Sequence, residues 1–97
     1  MQDEEFEWDD DKAESNVEKH SVSFQTARKV FADRDRIEDF DSDSSYGEDR
    51  YFCIGAVEFT VYYVIYTLPD KGRTRIISAR AANKREINDY YRGKAAG

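Results

Sequence analysis

The residues best able to do chemistry in this 97-residue chain are basic and sit near its end. Arg73, Arg75 and Arg80 fall in one strand-like run, and Lys84 and Arg85 follow where a helix opens. Cations in a first turn oppose the helix dipole, at about 0.3–1 kcal/mol each near the surface. A bound anion reverses that penalty, because free N–H groups and both side chains then face it. Surface decoration beside Glu86 and Asp89 is the plain alternative. His20 is the one side chain with an ordinary pKa near neutrality. It suits acid–base work on a phosphodiester, or equally a structural role at the end of a helix. No HExxH motif, Gly-rich phosphate loop or Ser-His-Asp set can be read, so no metal site and no cofactor is expected. The acids Asp9–Asp11 are consecutive and fan out around a helix.

Charge supports a local anion site. Residues 1–49 hold 17 acids and 6 bases, residues 50–70 two acids and one base, and residues 71–97 two acids and 8 bases. The net charge of −6 therefore hides a basic ending. Either a polyanion site or internal matching with the acidic half accounts for it. The single cysteine, Cys53, excludes an internal disulfide and lies in an apolar run, where a buried inert thiol is expected. The first twenty residues are acidic and lack an apolar segment, so no signal peptide is expected. No run approaches the roughly 20 apolar residues that span a bilayer. A reducing cytoplasm suits the chain.

The elements that must position these groups can be read in order, within one domain over residues 1–97. Phe6 and Trp8 alternate with acids, as a short extended segment docking its aromatic face. Asp9 caps a helix running to about Lys19, with Ala13 and Val17 on one face and a stop near His20-Ser21. Ser23 caps a second helix, lined by Phe24, Ala27, Val30 and Phe31, with Val22 and Ala27 as a hydrophobic staple. This pair lacks the basic recognition helix that DNA reading wants. Asp33–Asp49 is a polar loop, with or without a short strand over Arg36–Phe40. Tyr51–Val57 and Thr60–Thr67 are strands apolar on both faces. A turn at Leu68–Gly72 pairs the second with Arg73–Ala81 as a hairpin. Alternation puts Arg75 and Arg80 on opposite faces unless a bulge intervenes. Asn83 and Glu86 form a capping box for a last helix, lined by Ile87, Tyr90 and Tyr91 and ended by Gly93. The expected fold is α+β: two N-terminal helices, a three- to four-stranded antiparallel sheet and a C-terminal helix.

Taken together, Phe6-Glu7-Trp8-Asp9, Lys12-Ala13, Asn16, Lys19-His20, Val22-Ser23-Phe24, Ala27 and Val30-Phe31 resemble the opening of the BrnT toxin family. Glu48, Arg50 and Ile54-Gly55 resemble its first long strand. Tyr66-Thr67, Arg75–Ala81, Lys84, Glu86 and Tyr90 resemble its ending. Two places depart: Ser21 stands where the family usually has Gly, and the turn near Val57–Thr60 lacks a Gly and is short. The resemblance implies a RelE-like fold and a cytoplasmic, metal-independent endoribonuclease toxin of a type II toxin–antitoxin system, in which the ribose 2′-OH attacks the adjacent phosphate. It implies a BrnA-like ribbon-helix-helix antitoxin, operator DNA contacted only through that antitoxin, and no membrane partner. It carries over Arg80, Lys84, Tyr90 and, with less weight, His20 as catalytic candidates. Arg80 and Lys84 would hold the scissile phosphate, and Tyr90 would stack on a base, orient a proton or pack in the core. Arg50 and Arg75 would guide RNA, with Arg85 beside Lys84 at the anion corner. The competing reading is a non-catalytic module that docks a partner through its sheet and basic ending.

Overall fold

The computed structural model describes residues 1–70 and 72–96. Lys71, inside the expected turn, and Gly97 lie outside the described residues. The elements are β1 (Phe6–Glu7), α1 (Asp10–His20), α2 (Phe24–Val30), β2 (Ile37–Phe40), β3 (Tyr51–Val57), β4 (Thr60–Asp70), β5 (Arg73–Ala81) and α3 (Lys84–Ala96).

Local chemistry sets the helix ends. The Asp9 carboxylate accepts from the amides of Asp11 and Lys12 and starts α1. Ser21 ends it in the left-handed region, at φ 58°, a conformation that costs Ser more than Gly. The Ser23 hydroxyl accepts from the Thr26 amide at 3.1 Å and starts α2. Val22 and Ala27 are both buried in the core beside it. Gly93 does not end α3, which continues through it to Ala96. A lone glycine costs a helix about 1 kcal/mol, too little to stop it.

The strands form one five-stranded sheet in the order β1-β5-β4-β3-β2. It is mixed rather than purely antiparallel: β1 pairs parallel with β5, through Phe6 with Thr74 and Glu7 with Arg75. The other pairs are antiparallel. The aromatic segment expected to dock its face thus also supplies an edge strand. Val57 and Thr60 pair directly, so Glu58 and Phe59 alone make the β3–β4 turn, with Glu58 at φ 58°.

The helices α1 and α2 cover one face. Its core joins Trp8, Phe24, Ala27, Val30, Cys53, Val64, Tyr66, Ile76 and Ala79. Trp8 and Phe24 meet edge to face at 5.8 Å, as do Phe31 and Tyr66 at 5.0 Å. Gly55 lets α2 approach closely: a Cβ there would lie 2.9 Å from Val30 Cγ1. On the other face Tyr90 of α3 packs with Ile54 and Val61.

One irregularity governs the site. Ile65 pairs with Ser78 but Tyr66 pairs with Ile76, so Ile77 is an extra residue in β5. This bulge explains how Ile76 and Ala79, three apart, share the helix-covered face. It also resets the alternation of every residue before it.

Candidate RNA-contacting face

Because of the bulge, Arg75 and Arg80 project from the same face of β5. Arg80 pairs with Tyr63 and Arg75 with Thr67, which lie four apart on β4 and so share a side. At about 3.3 Å per residue the two arginines are roughly 13 Å apart along the strand, too far for one phosphate. Arg50, two residues before Phe52, joins them by alternation: the Phe52 ring stacks on Tyr63 at 5.5 Å, with 12° between planes. Three arginines therefore share a face with a pair of stacked rings, Arg80 lying over Tyr63, and Tyr90 of α3 packs on the neighbouring part of that face.

Arg80 is held firmly. Its Nη1 and Nη2 each donate to Glu86 at 2.8 Å, and Nη1 also donates to the Ala81 carbonyl at 3.2 Å. The guanidinium carbon lies 4.2 Å from the centre of the Tyr63 ring. The bond to Glu86 raises the Arg80 pKa further, against the opposing effect of burial. Two of the five guanidinium N–H donors remain for a ligand. Burial alone would raise the Glu86 carboxyl, but Arg80 and the Asn83 amide hold it below its ordinary value. The same Glu86 closes the capping box, accepting from Asn83 N at 2.8 Å while Asn83 Oδ1 accepts from Glu86 N.

Arg50 donates to Glu48 at 3.2 Å, and its enclosed Nε has no acceptor. Arg75 pairs with Glu7 at 2.7 Å. Of the three carboxylates paired with these arginines, Glu48 is the accessible one, at 42% side-chain exposure against 14% for Glu7 and for Glu86. Lys84 and Arg85 are exposed on the first turn of α3, with no ion pair among the described residues.

Two expected site residues lie elsewhere. Tyr90 is 1% exposed, so it cannot stack on a base. Its hydroxyl donates to Asp33 Oδ2, which also accepts from the Ala56 amide at 2.8 Å. Desolvation, followed by the Asp33 bond and charge, pushes the Tyr90 hydroxyl well above its ordinary value. Burial opposes ionisation of Asp33, but the Ala56 amide, Tyr90 and the Asp35 amide together keep its pKa low. Tyr90 anchors α3 to the loop after α2. His20 is exposed and lines a cavity of about 170 Å³ with Lys12, Ser15, Asn16, Lys19, Ile77 and Ser78. Neither Arg80 nor Lys84 lines that cavity. A cleft of about 500 Å³ between β1 and α2 is lined by Phe6, Phe31, Arg28 and neighbours, away from this face.

Sequence reasoning missed Tyr63, Phe52 and the Arg80–Glu86 pair. The Glu six residues after an Arg, across a strand-to-helix corner, was the available signal for that pair. Among the described residues no three His, Cys, Asp or Glu side chains come together to hold a metal. No helix among them is long and apolar enough to cross a membrane.

A five-stranded sheet backed by two helices, with Arg50, Arg75 and Arg80 on its other face, defines an α+β protein. Residues 8–86 match the family described as the ribonuclease toxin, BrnT, of type II toxin–antitoxin systems, and the chain belongs to that family. The crystal structure of the Brucella abortus ribonuclease toxin BrnT has a similar fold, with a TM-score of 0.63 at 20% identity over 84% of this chain and 100% of that one. No individual curated protein matches the chain.

Proposed function

We propose that the arginine face is where this ribonuclease toxin holds and cuts RNA, without a metal ion, by attack of a ribose 2′-OH on the adjacent phosphate, which breaks the bond to the 5′-oxygen of the next nucleotide and leaves a 2′,3′-cyclic phosphate and, after protonation from water, a free 5′-OH. The observation that carries the reading is the bulge-enforced placement of Arg75 and Arg80 on one face with Arg50 and the Phe52–Tyr63 stack. Arginine suits phosphate because its donors fork and its charge is permanent. Arg80 and Phe52 cover Tyr63, and the half-buried Phe52 ring is the surface left for an unpaired base. Arg80, fixed by Glu86 and Tyr63, places positive charge where the phosphorane gains negative charge, and preorganised charge of this kind lowers the barrier. Lys84 and Arg85 extend the cationic surface at the start of α3. Glu48 is the accessible carboxylate beside an arginine, and so the best-placed group to take the 2′-OH proton. His20 lies in another cavity and is the second candidate for proton transfer.

Growth inhibition would be relieved by a BrnA-like ribbon-helix-helix antitoxin, which would supply any contact with operator DNA. Both partners would meet in the cytoplasm. The test is cleavage of a single-stranded RNA in excess EDTA by the purified chain and by Arg80→Ala. Losing one transition-state contact should slow cleavage about 100–1,000-fold. Circular dichroism checks folding. Cleavage by Arg80→Ala at the wild-type rate would remove Arg80 from the site, and loss of wild-type cleavage in EDTA would overturn the metal-free mechanism.

A further inference from the structure

A second cationic surface lies at the outer edge of β5. Beyond the two-residue β1, α1 covers that edge. The helix turns a stripe toward it at positions 12, 15, 16 and 19, the spacing that normally carries apolar residues. Here the stripe is Lys12, Ser15, Asn16 and Lys19, with His20 beside it. Asn16 alone is buried, and it bonds both backbone groups of Ala79. The others surround the 170 Å³ cavity against the bulge at Ile77 and Ser78. Lys12 also lines an adjoining cleft of about 460 Å³ with Arg75, Glu7, Asp9, Trp8 and the first residues of the chain. The two cavities share Lys12 as a common wall, a groove in two parts. Arg75 connects it to the arginine face.

The groove's acids are already engaged. Glu7 is held by Arg73 and Arg75, and Asp9 caps α1. Neither Lys12 nor Lys19 has a carboxylate within 4.0 Å among the described residues, in a chain whose acids outnumber its bases 21 to 15. Seven residues of helix separate the two lysines, about 10 Å, a span that takes more than one phosphate. The lining is mostly charged and hydroxyl-bearing, with Ile77 its one aliphatic side chain beyond the aromatic Trp8 and the end of Met1. That favours a solvated polyanion over an apolar peptide.

We infer that this groove binds the phosphate backbone of single-stranded RNA beside the scissile step, with Lys12 and Lys19 as positioning residues and His20 and the serine hydroxyls as further donors. The inference rests on the ribonuclease reading above and extends it from the cutting face to the track that feeds it. The probe is a fluorescent 2′-O-methyl oligoribonucleotide, which lacks the attacking hydroxyl. Its binding to the full chain is measured by anisotropy at 50 and 200 mM salt. Each lost phosphate contact removes about 0.7 from the salt slope of a single strand, so Lys12→Ala with Lys19→Ala should remove about 1.4. The ratio of affinities at the two salt concentrations should then shrink about sevenfold. Arg34→Ala, exposed and outside the groove, should leave affinity and slope unchanged. Circular dichroism confirms folding of each variant. Unchanged affinity and slope in the double variant, with wild type still cleaving RNA, overturns the groove alone. Unchanged RNA binding with loss of the antitoxin complex makes it a protein-docking surface instead. If wild type neither binds nor cleaves RNA, the ribonuclease reading falls and the groove with it.

Discussion

Asn16→Ala tests how α1 is fixed to the sheet. The Asn16 side chain is 5% exposed and replaces a neighbouring strand for Ala79. Its Nδ2 donates to the Ala79 carbonyl at 2.8 Å and to the Val22 carbonyl at 2.9 Å, and its Oδ1 accepts from the Ala79 amide at 3.1 Å. Alanine leaves one donor and two acceptors without partners beneath the helix. Each such group costs about 1–3 kcal/mol when water cannot reach it. Partial hydration lowers the sum, so a loss of about 3–5 kcal/mol is expected. A chain this size has about 5–15 kcal/mol in total, so the variant gives up a large share of it. At about 4–8 °C per kcal/mol, the melting temperature should fall by more than about 12 °C. Asn16→Asp should be at least as damaging near neutral pH, because its second oxygen faces two carbonyls. Urea unfolding followed by circular dichroism gives the free energies. A loss below about 1 kcal/mol for Asn16→Ala would refute the reasoning, showing that water or a shifted helix satisfies Ala79 cheaply.

Other outcomes follow from local geometry. Ser21→Gly should stabilise the chain by about 0.5–1 kcal/mol, seen as a higher urea midpoint, because Ser21 occupies the left-handed region that glycine adopts freely. Acid should weaken the fold: hydrogen bonds from the Phe6 and Glu5 amides, then Arg28, hold Asp3 down at about 2, and Asp33 and Glu86 are also lowered. With folded values below unfolded ones, their stabilisation is present above about pH 4.5 and is lost as pH falls toward 2, which acid titration of the melting temperature will show. Cys53 should resist iodoacetamide in the native state, since the thiol is fully buried and burial pushes its pKa up to about 12; rapid labelling without unfolding would contradict the packing.

The helix starts, the β4–β5 hairpin and the capping box were legible because each is local: a cap, a turn or an alternation within a few residues. The parallel pairing of β1 with β5 was not, since nothing within Phe6–Glu7 names a partner nearly seventy residues away. Tyr90 and Arg80 show the limit for sites. Both are polar residues at motif positions, but Tyr90 is buried against Ile54 and Val61 with its hydroxyl on Asp33, 57 positions earlier, and Arg80 is oriented by a helix cap. Gly93 was read as a stop because composition cannot weigh one glycine against a helix already anchored by Tyr90. The arginines at 50, 75 and 80 could be picked by type, yet their shared face depended on a pairing shift that lies between two strands rather than in either.

The extra residue at Ile77 has a consequence for how such a site drifts through evolution. On a regular strand, two side chains that cooperate on one face are separated by an even number of positions. Here the productive separation of Arg75 from Arg80 is odd, and only the irregularity makes it so. A one-residue deletion in that segment would restore a regular ladder and leave every side chain chemically unchanged. It would also keep Ile76 opposite Tyr66 and Arg75 opposite Thr67, so Arg75 and Arg73 would stay on the face of Arg80, beside Glu7. What turns Arg75 toward the helices is a straightened strand that keeps Ile77, because Arg75 would then lie opposite Leu68 rather than Thr67. Relatives with a spacing of four on a regular strand and relatives with five and a bulge would therefore present the same arginine face.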